Sequence, residues 1–205
     1  MSTRRGPKAR LVRRLGINLI GTPKYDKILT KKGYPPGMHG RSKFSKLSEF
    51  GRQLQEKQKA RILFNVSEKQ FRGYYDKAEK SNGVTGDELI RFLERRLDNI
   101  IYRAGFAVTR FQSRQMASHG LFMINGRKVD VPSVLLSVGD KIEATERAKK
   151  SKLFELNLET NSKYKVPGWL EADTKKLGIT IKRLPEKDEL EQAMNSQLIV
   201  EFYSK

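Results

Sequence analysis

From Thr85 onward the apolar residues recur at threes and fours. Leu89, Phe92, Leu93, Leu97, Ile100 and Ile101 form one stripe down a helix, with Arg95, Arg96 and Arg103 off it and Gly105 where a left-handed C-cap belongs. Upstream, Ser48 is placed to cap a helix running through Leu54 and Glu56 to about Phe64. Three capping boxes follow: Ser67-x-x-Gln70, Thr85-x-x-Glu88 and Thr109-x-x-Gln112, with Val84 and Leu89 set for a hydrophobic staple around the second. The Thr109 helix ends at His119-Gly120, and there the period drops to two. Leu121–Ile124 and Arg127–Val131 flank Asn125-Gly126, a strong hairpin signal because both positions of a type I′ turn need positive φ. Val134–Val138, Lys141–Ala144, Ile179–Lys182 and Leu198–Tyr203 read as further strands, and Pro185–Met194 as a short acidic helix. The fold class is α+β, helices first and a small, mostly antiparallel sheet after them, with no internal repeat of fixed period.

Composition narrows what such a fold is for. The chain of 205 residues is long enough for one large domain or two small ones, and 37% hydrophobic residues with ten Phe, seven Tyr and one Trp suffice for modest cores. Forty-two Lys and Arg against twenty-three Asp and Glu give a net charge of +19, a field that gathers polyanions before any specific contact forms. No cysteine is present, which excludes disulfides, Cys-ligated metals and thiol chemistry; His39 and His119 alone do not make a metal site. No apolar run approaches the roughly 18 residues of a membrane span. The first 25 residues are Arg-rich and acid-free, like a transit peptide, but contain no hydrophobic signal core. The chain reads as intracellular and polyanion-binding.

The charge is uneven. Residues 1–60 carry sixteen basic and three acidic side chains, residues 94–150 eleven and six, and residues 151–205 nine of each. The N-terminal stretch Arg4, Arg5, Lys8, Arg10, Arg13, Arg14 shows little periodicity, and the run 33–41, with His39 and Arg41 and then Lys43, is too dense in Pro and Gly for helix. Both read as an extended cationic arm that orders against nucleic acid, the bland alternative being a solubilising tail. On the Ser48 helix, Arg52, Lys57, Lys59 and Arg61 lie partly on one side.

The sharper candidate lies between Arg95 and Lys128. The helix opened by Thr109 presents Arg110, Ser113, Arg114 and Gln115, with Arg110 and Arg114 neighbours four apart, and its N-terminus offers backbone N–H groups to phosphate. Arg127 and Lys128 add two cations beside the Asn125-Gly126 tip, and His119 is expected to bond at the helix end. A hairpin beside a basic helix makes a groove sized for an RNA backbone; the bland alternative is a solvated charged face. No phosphate-binding loop, serine elbow, HExxH or convergent acid pair occurs, so catalysis is not expected, and no cofactor is implied.

These residues carry a family resemblance. Leu93-Glu94-Arg95-Arg96-Leu97-Asp98-Asn99-Ile100-Ile101-Tyr102-Arg103-x-Gly105-Phe106, then Thr109-Arg110-x-x-Ser113-Arg114-Gln115, His119-Gly120 and Ile124-Asn125-Gly126-Arg127, resemble the S-four-type RNA-binding module. That module alone is shared by synthetases, uridine isomerases and stress proteins. Arg5-Gly6-Pro7-x-x-Arg10-Leu11-x-Arg13-Arg14, Tyr34-Pro35-Pro36-Gly37-x-His39-Gly40, Leu54-x-Glu56-Lys57-Gln58-Lys59, Glu68-x-Gln70-Phe71-Arg72-x-Tyr74, Trp169-Leu170 and Glu201-Phe202-Tyr203-Ser204-Lys205 extend it to the family of small-subunit ribosomal protein four.

The resemblance implies a primary binder of small-subunit ribosomal RNA that nucleates assembly of the subunit body, touches small-subunit protein five and so influences accuracy. Some relatives repress their own messenger RNA, and messenger RNA near its entry path is a further implied partner; no membrane is. It also implies a helical first domain with the module inserted: a basic arm over 1–46, a helical domain over 47–93 completed by 180–205, and the module over 94–179. The implied home is a cytoplasmic or organellar ribosome. Many relatives carry four zinc-binding cysteines near the N-terminus. Ala9 and Val12 hold two of those places here, so zinc is not expected. An RNA-modifying or RNA-salvage factor that borrows the module, and a non-specific DNA compactor, are the alternatives.

Overall fold

The computed structural model describes residues 6–42, 46–161 and 164–204. The chain divides into two compact units: Ser81–Gln192, continuous in sequence, and a split unit made of the residues up to Lys80 and those from Ala193 onward. The family resemblance implies boundaries at 93/94 and 179/180. In the compact units the Thr85 helix goes with the residues C-terminal to it, and Arg91 Nε donates to the Pro185 carbonyl at 3.2 Å.

The split unit opens with α1 (Lys8–Leu15) and α2 (Pro23–Lys31), where an extended arm is expected. Val12, Leu19 and Ile20 are buried, a core too sparse to register as periodicity, and Pro23 fixes the first turn of α2. The 33–41 run stays irregular apart from a 3-10 turn at Met38–Gly40. Next come α3 (Glu49–Leu63), where the Ser48 hydroxyl accepts from the Gly51 N–H at 3.2 Å, and α4 (Glu68–Glu79), where Ser67 and Gln70 form the expected capping box.

The continuous unit starts with α5 (Thr85–Glu94) and α6 (Leu97–Arg103), two helices where the apolar stripe suggests one. Between them the chain is extended at Arg96, which bridges to Leu135; the Leu97 N–H donates to the Val134 carbonyl and the Leu136 N–H to the Arg95 carbonyl. Residues 134–136 spend their hydrogen bonds here, so the expected strand over 134–138 does not join the sheet. Thr85 does not cap: Val84 holds the N-cap position, and Glu88 pairs with Arg91 instead. The α7 helix (Arg110–Ser118) is capped as expected, Thr109 Oγ1 accepting from the Gln112 N–H at 3.2 Å, but Gln112 returns the bond to the Val108 N–H rather than to Thr109.

Strands β1 (Phe122–Ile124) and β2 (Arg127–Val129) form the predicted hairpin, with φ of +49° at Asn125 and +80° at Gly126. After β3 (Lys141–Ala144), short α8 (Glu146–Lys149) and α9 (Lys152–Thr160), strands β4 (Leu170–Asp173) and β5 (Gly178–Ile181) complete a sheet ordered β2-β1-β3-β5-β4, antiparallel at every pairing. Its inner face packs Phe122, Ile142 and Ile179 with Trp169, Leu97, Ile100 and Ile101; Phe154 meets Phe106 and Phe122 edge-on. The expected acidic helix over 185–194 shrinks to one 3-10 turn at Lys187–Glu189.

The chain then returns to the split unit as α10 (Ser196–Tyr203), a helix where the apolar run 198–203 reads as a strand. Asn195 Oδ1 caps it by accepting from the Gln197 and Leu198 N–H groups. It lies against α3: Gln53 Nε2 donates to Glu201 Oε2 at 3.1 Å, and the Phe50 and Phe202 rings sit 5.5 Å apart. Among the described residues no helix is long and apolar enough to cross a membrane.

Candidate nucleic-acid interface

In the continuous unit most of the arginines expected to line an RNA groove face inward. Arg96 is 0% exposed; its Nε and Nη2 donate to the two oxygens of Asp98 at 3.0 and 2.7 Å. Arg114, 5% exposed, donates from Nη1 to the same Asp98 Oδ2 at 3.0 Å. Burying a guanidinium is costly unless a carboxylate compensates it, and Asp98 serves two. Arg103 grips buried Glu94 with both Nε and Nη2. Burial works against the Arg103 charge, but the hydrogen bond and charge of Glu94 outweigh it, so its pKa is raised. Arg110 stacks on Tyr102 at 4.5 Å, donates from Nε to Asn99 Oδ1 at 2.9 Å and pairs through Nη2 with Glu191, which also lies 3.5 Å from Arg103. Ser113 is fully buried and donates to the Arg110 carbonyl at 3.0 Å. Arg96, Ser113 and Arg114 therefore lie at interior positions, and Arg103 and Arg110 are partnered by Glu94 and Glu191.

Of the expected residues in this unit, those left at the surface lie on the hairpin and at the end of α7. Gln115, His119, Asn125, Gly126, Arg127 and Lys128 are exposed, and Arg95 is half-buried with its Nε donating to the Leu136 carbonyl at 2.8 Å. His119 takes the C-cap of α7 through its backbone, its N–H donating to the Gln115 carbonyl. Thr109 is half-buried, engaged as the cap.

The split unit makes a similar division. Lys57 is buried: its Nζ donates to Glu68 Oε1 at 3.0 Å and lies 4.2 Å from the Phe202 ring centre. Arg61 pairs with Glu68 Oε2 at 2.6 Å and Lys59 with Glu56 at 3.1 Å, so on α3 only Arg52 stays exposed among the expected cations. Glu68 accepts in addition from the Tyr203 hydroxyl at 2.8 Å. Burial opposes ionisation of Glu68, yet these donors hold its carboxyl below the ordinary value, while burial and the same contact push the Tyr203 phenol up. Near the N-terminus Arg10, Arg14, His39 and Arg41 are exposed, and Lys8 and Arg13 are half-buried. Arg4, Arg5 and Lys43 lie outside the described residues. Val12 is buried in the small core of α1, and among the described residues no three His, Asp or Glu side chains converge as metal ligands.

Two residues that the charge pattern does not single out matter to these sites. Tyr34 lies beneath both Arg13 and Arg41, and Glu191 neutralises an arginine 81 positions away. Tyr34 sits in a loop whose cations draw the eye first; nothing local marks Glu191.

A family model described as the ribosomal protein S4/S9 N-terminal domain matches residues 3–94, and one described as the S4 domain matches residues 95–142. The small ribosomal subunit protein uS4 of Borrelia garinii subsp. bavariensis is 47% identical over 206 residues, covering 100% of this chain and 99% of its own. That of Borreliella burgdorferi is 46% identical over the same length, and that of Borrelia hermsii 48% over 199 residues, covering 97% of this chain and 96% of its own. The chain belongs to the uS4 family. As a uS4-family member it is a structural ribosomal protein, not an enzyme, and its lack of cysteine fits a zinc-free variant. The two family models meet between Glu94 and Arg95, where α5 ends and the extended segment through Arg96 begins. The ion pairs of Asp98, Glu94 and Glu191 all lie within the continuous unit of this uS4-family chain, where they hold α6 and α7 together.

Proposed function

We propose that this uS4-family chain is a primary binder of small-subunit ribosomal RNA that nucleates assembly of the subunit body and, with small-subunit protein five, contributes to decoding accuracy. The observation that carries the reading is the likeness to uS4 proteins along the full length of both chains. The surface supports it. Arg10, Arg14, Arg41 and Arg52 in the split unit, and Arg127 and Lys128 in the continuous one, are exposed and carry no ion pair among the described residues. Cations held this way take phosphates and recognise a folded RNA by the spacing of its backbone. Residues 151–205, balanced in charge, suit a protein neighbour such as protein five better than RNA. Messenger RNA near its entry path is a secondary partner, and the cytoplasmic ribosome the place of work.

The test is a filter-binding titration of the full chain against small-subunit ribosomal RNA, with transfer RNA and duplex DNA as competitors, across several salt concentrations. Ribosomal RNA binding that survives physiological salt and excess competitor supports the reading. Equal competition by all three polyanions, with affinity collapsing in salt, overturns it in favour of charge alone.

A further inference from the structure

The 33–41 loop is closed tightly onto itself and onto α1. The Gly40 N–H donates to the Gly37 carbonyl at 3.3 Å, and a Cβ at position 40 would stand 1.9 Å from the Pro35 carbonyl oxygen, so the turn shuts only on glycine. Arg13 ties this loop to α1, its Nε donating to the Tyr34 carbonyl and its Nη2 to the Pro35 carbonyl, each at 3.2 Å. The Tyr34 ring then carries two guanidiniums, Arg13 at 4.8 Å and Arg41 at 4.9 Å from its centre. The ring attracts each of them through its quadrupole but brings no charge to offset their repulsion. No carboxylate does so either: neither arginine has an ion pair among the described residues, and Asp26, the one acid before Glu49, accepts from Asn18 Nδ2 at 2.9 Å. The crowding of cations holds the Tyr34 phenol below its ordinary pKa, chiefly through the hydrogen bond with Arg41. Two arginines are thus brought over one ring, on a loop closed by hydrogen bonds, and neither has a carboxylate partner among the described residues.

We propose that Tyr34 is a positioning residue that stacks Arg13 and Arg41 into a preformed pair, and that this pair takes a backbone phosphate of the ribosomal RNA. The inference rests on the RNA-binding reading above and adds a site and a device to it. A phosphodiester presents two charged oxygens, which suit planar guanidinium forks approaching together. Stacking on the ring fixes both side chains before the RNA arrives, so less conformational freedom is lost on binding.

The experiment compares the full chain with Tyr34→Ala, Tyr34→Phe, Arg13→Gln/Arg41→Gln and the triple variant, by filter binding to small-subunit ribosomal RNA across salt, with thermal melting of each. Tyr34→Ala is expected to weaken binding about tenfold or more and to flatten the dependence of log K on log salt by about 0.7–0.9, one phosphate contact. Tyr34→Phe keeps the ring but loses the hydroxyl's bond with Arg41, and stays closer to the parent than to Tyr34→Ala. Tyr34→Ala adds nothing in the Arg13→Gln/Arg41→Gln background, because it acts through those residues. A parent-like Tyr34→Ala, a Tyr34→Phe as weak as Tyr34→Ala, or a full Tyr34→Ala effect without the two arginines each overturns the proposal. A parent chain that does not prefer ribosomal RNA overturns the RNA-binding reading itself, a result visible before any variant is made.

Discussion

Asp98 Oδ2 stands 2.7 Å from Arg96 Nη2 and 3.0 Å from Arg114 Nη1, so a single buried carboxylate joins the start of α6 to the middle of α7. Removing its charge takes from two buried guanidiniums the carboxylate they share. Asp98→Asn is expected to destabilise the chain by about 3–5 kcal/mol, read by denaturant unfolding. A loss below about 1 kcal/mol would show that this network is not holding the two helices together.

Glu191 neutralises Arg110, one of the arginines that the sequence offers to RNA. Glu191→Gln turns the contact from an ion pair into a neutral hydrogen bond and leaves the Arg110 charge for a phosphate. Ribosomal RNA affinity should rise about threefold or more, with the salt dependence steeper by about 0.7. Unchanged affinity and slope would mean that Arg110 does not face the RNA.

Two threonines with the same motif separate cleanly. Thr109 accepts from the Gln112 N–H, whereas Thr85 makes no cap bond. Thr109→Ala should cost about 1 kcal/mol and Thr85→Ala under about 0.5 kcal/mol, measured as shifts in the unfolding midpoint. Equal costs would refute the assignment of N-caps.

Glu68 links the acid stability of the split unit to its last helix. Its pKa is depressed against the opposing effect of burial by the Tyr203 hydroxyl, Lys57 and Arg61. A carboxyl with a folded-state pKa below its unfolded value contributes stability above the unfolded value and loses it as pH falls through the folded one. Below about pH 4.3 the melting temperature of the parent should therefore fall more steeply than that of Glu68→Gln. Parallel acid limbs for the two proteins would count against the coupling.

Local signals survive into the structure where one segment satisfies its own needs. Ser48 and Ser67 cap, and Asn125-Gly126 turns, because the partner atoms lie within a few residues. The misreadings share another cause. Leu198–Tyr203 is a short apolar run, a pattern that helix and strand share; the cap at Asn195 and the groove against α3 make it a helix. Arg96 looks like a surface cation because its side chain is judged by type, yet Asp98 and the bridge to Leu135 draw it inside. The wider the separation, the less is legible: Glu191 and Arg110 are 81 residues apart, and only the fold introduces them.

The return of α10 to α3 has a consequence for how this chain is made. A growing chain that has reached Gln192 already holds every residue of the continuous unit, whereas the split unit still lacks Asn195, Glu201, Phe202 and Tyr203, which close onto Glu56, Gln53, Phe50 and Glu68. The part synthesised first is therefore the part completed last. Until residues 195–203 have been made, the basic helical half lacks the helix that covers α3, and those residues act as the latch that seals it.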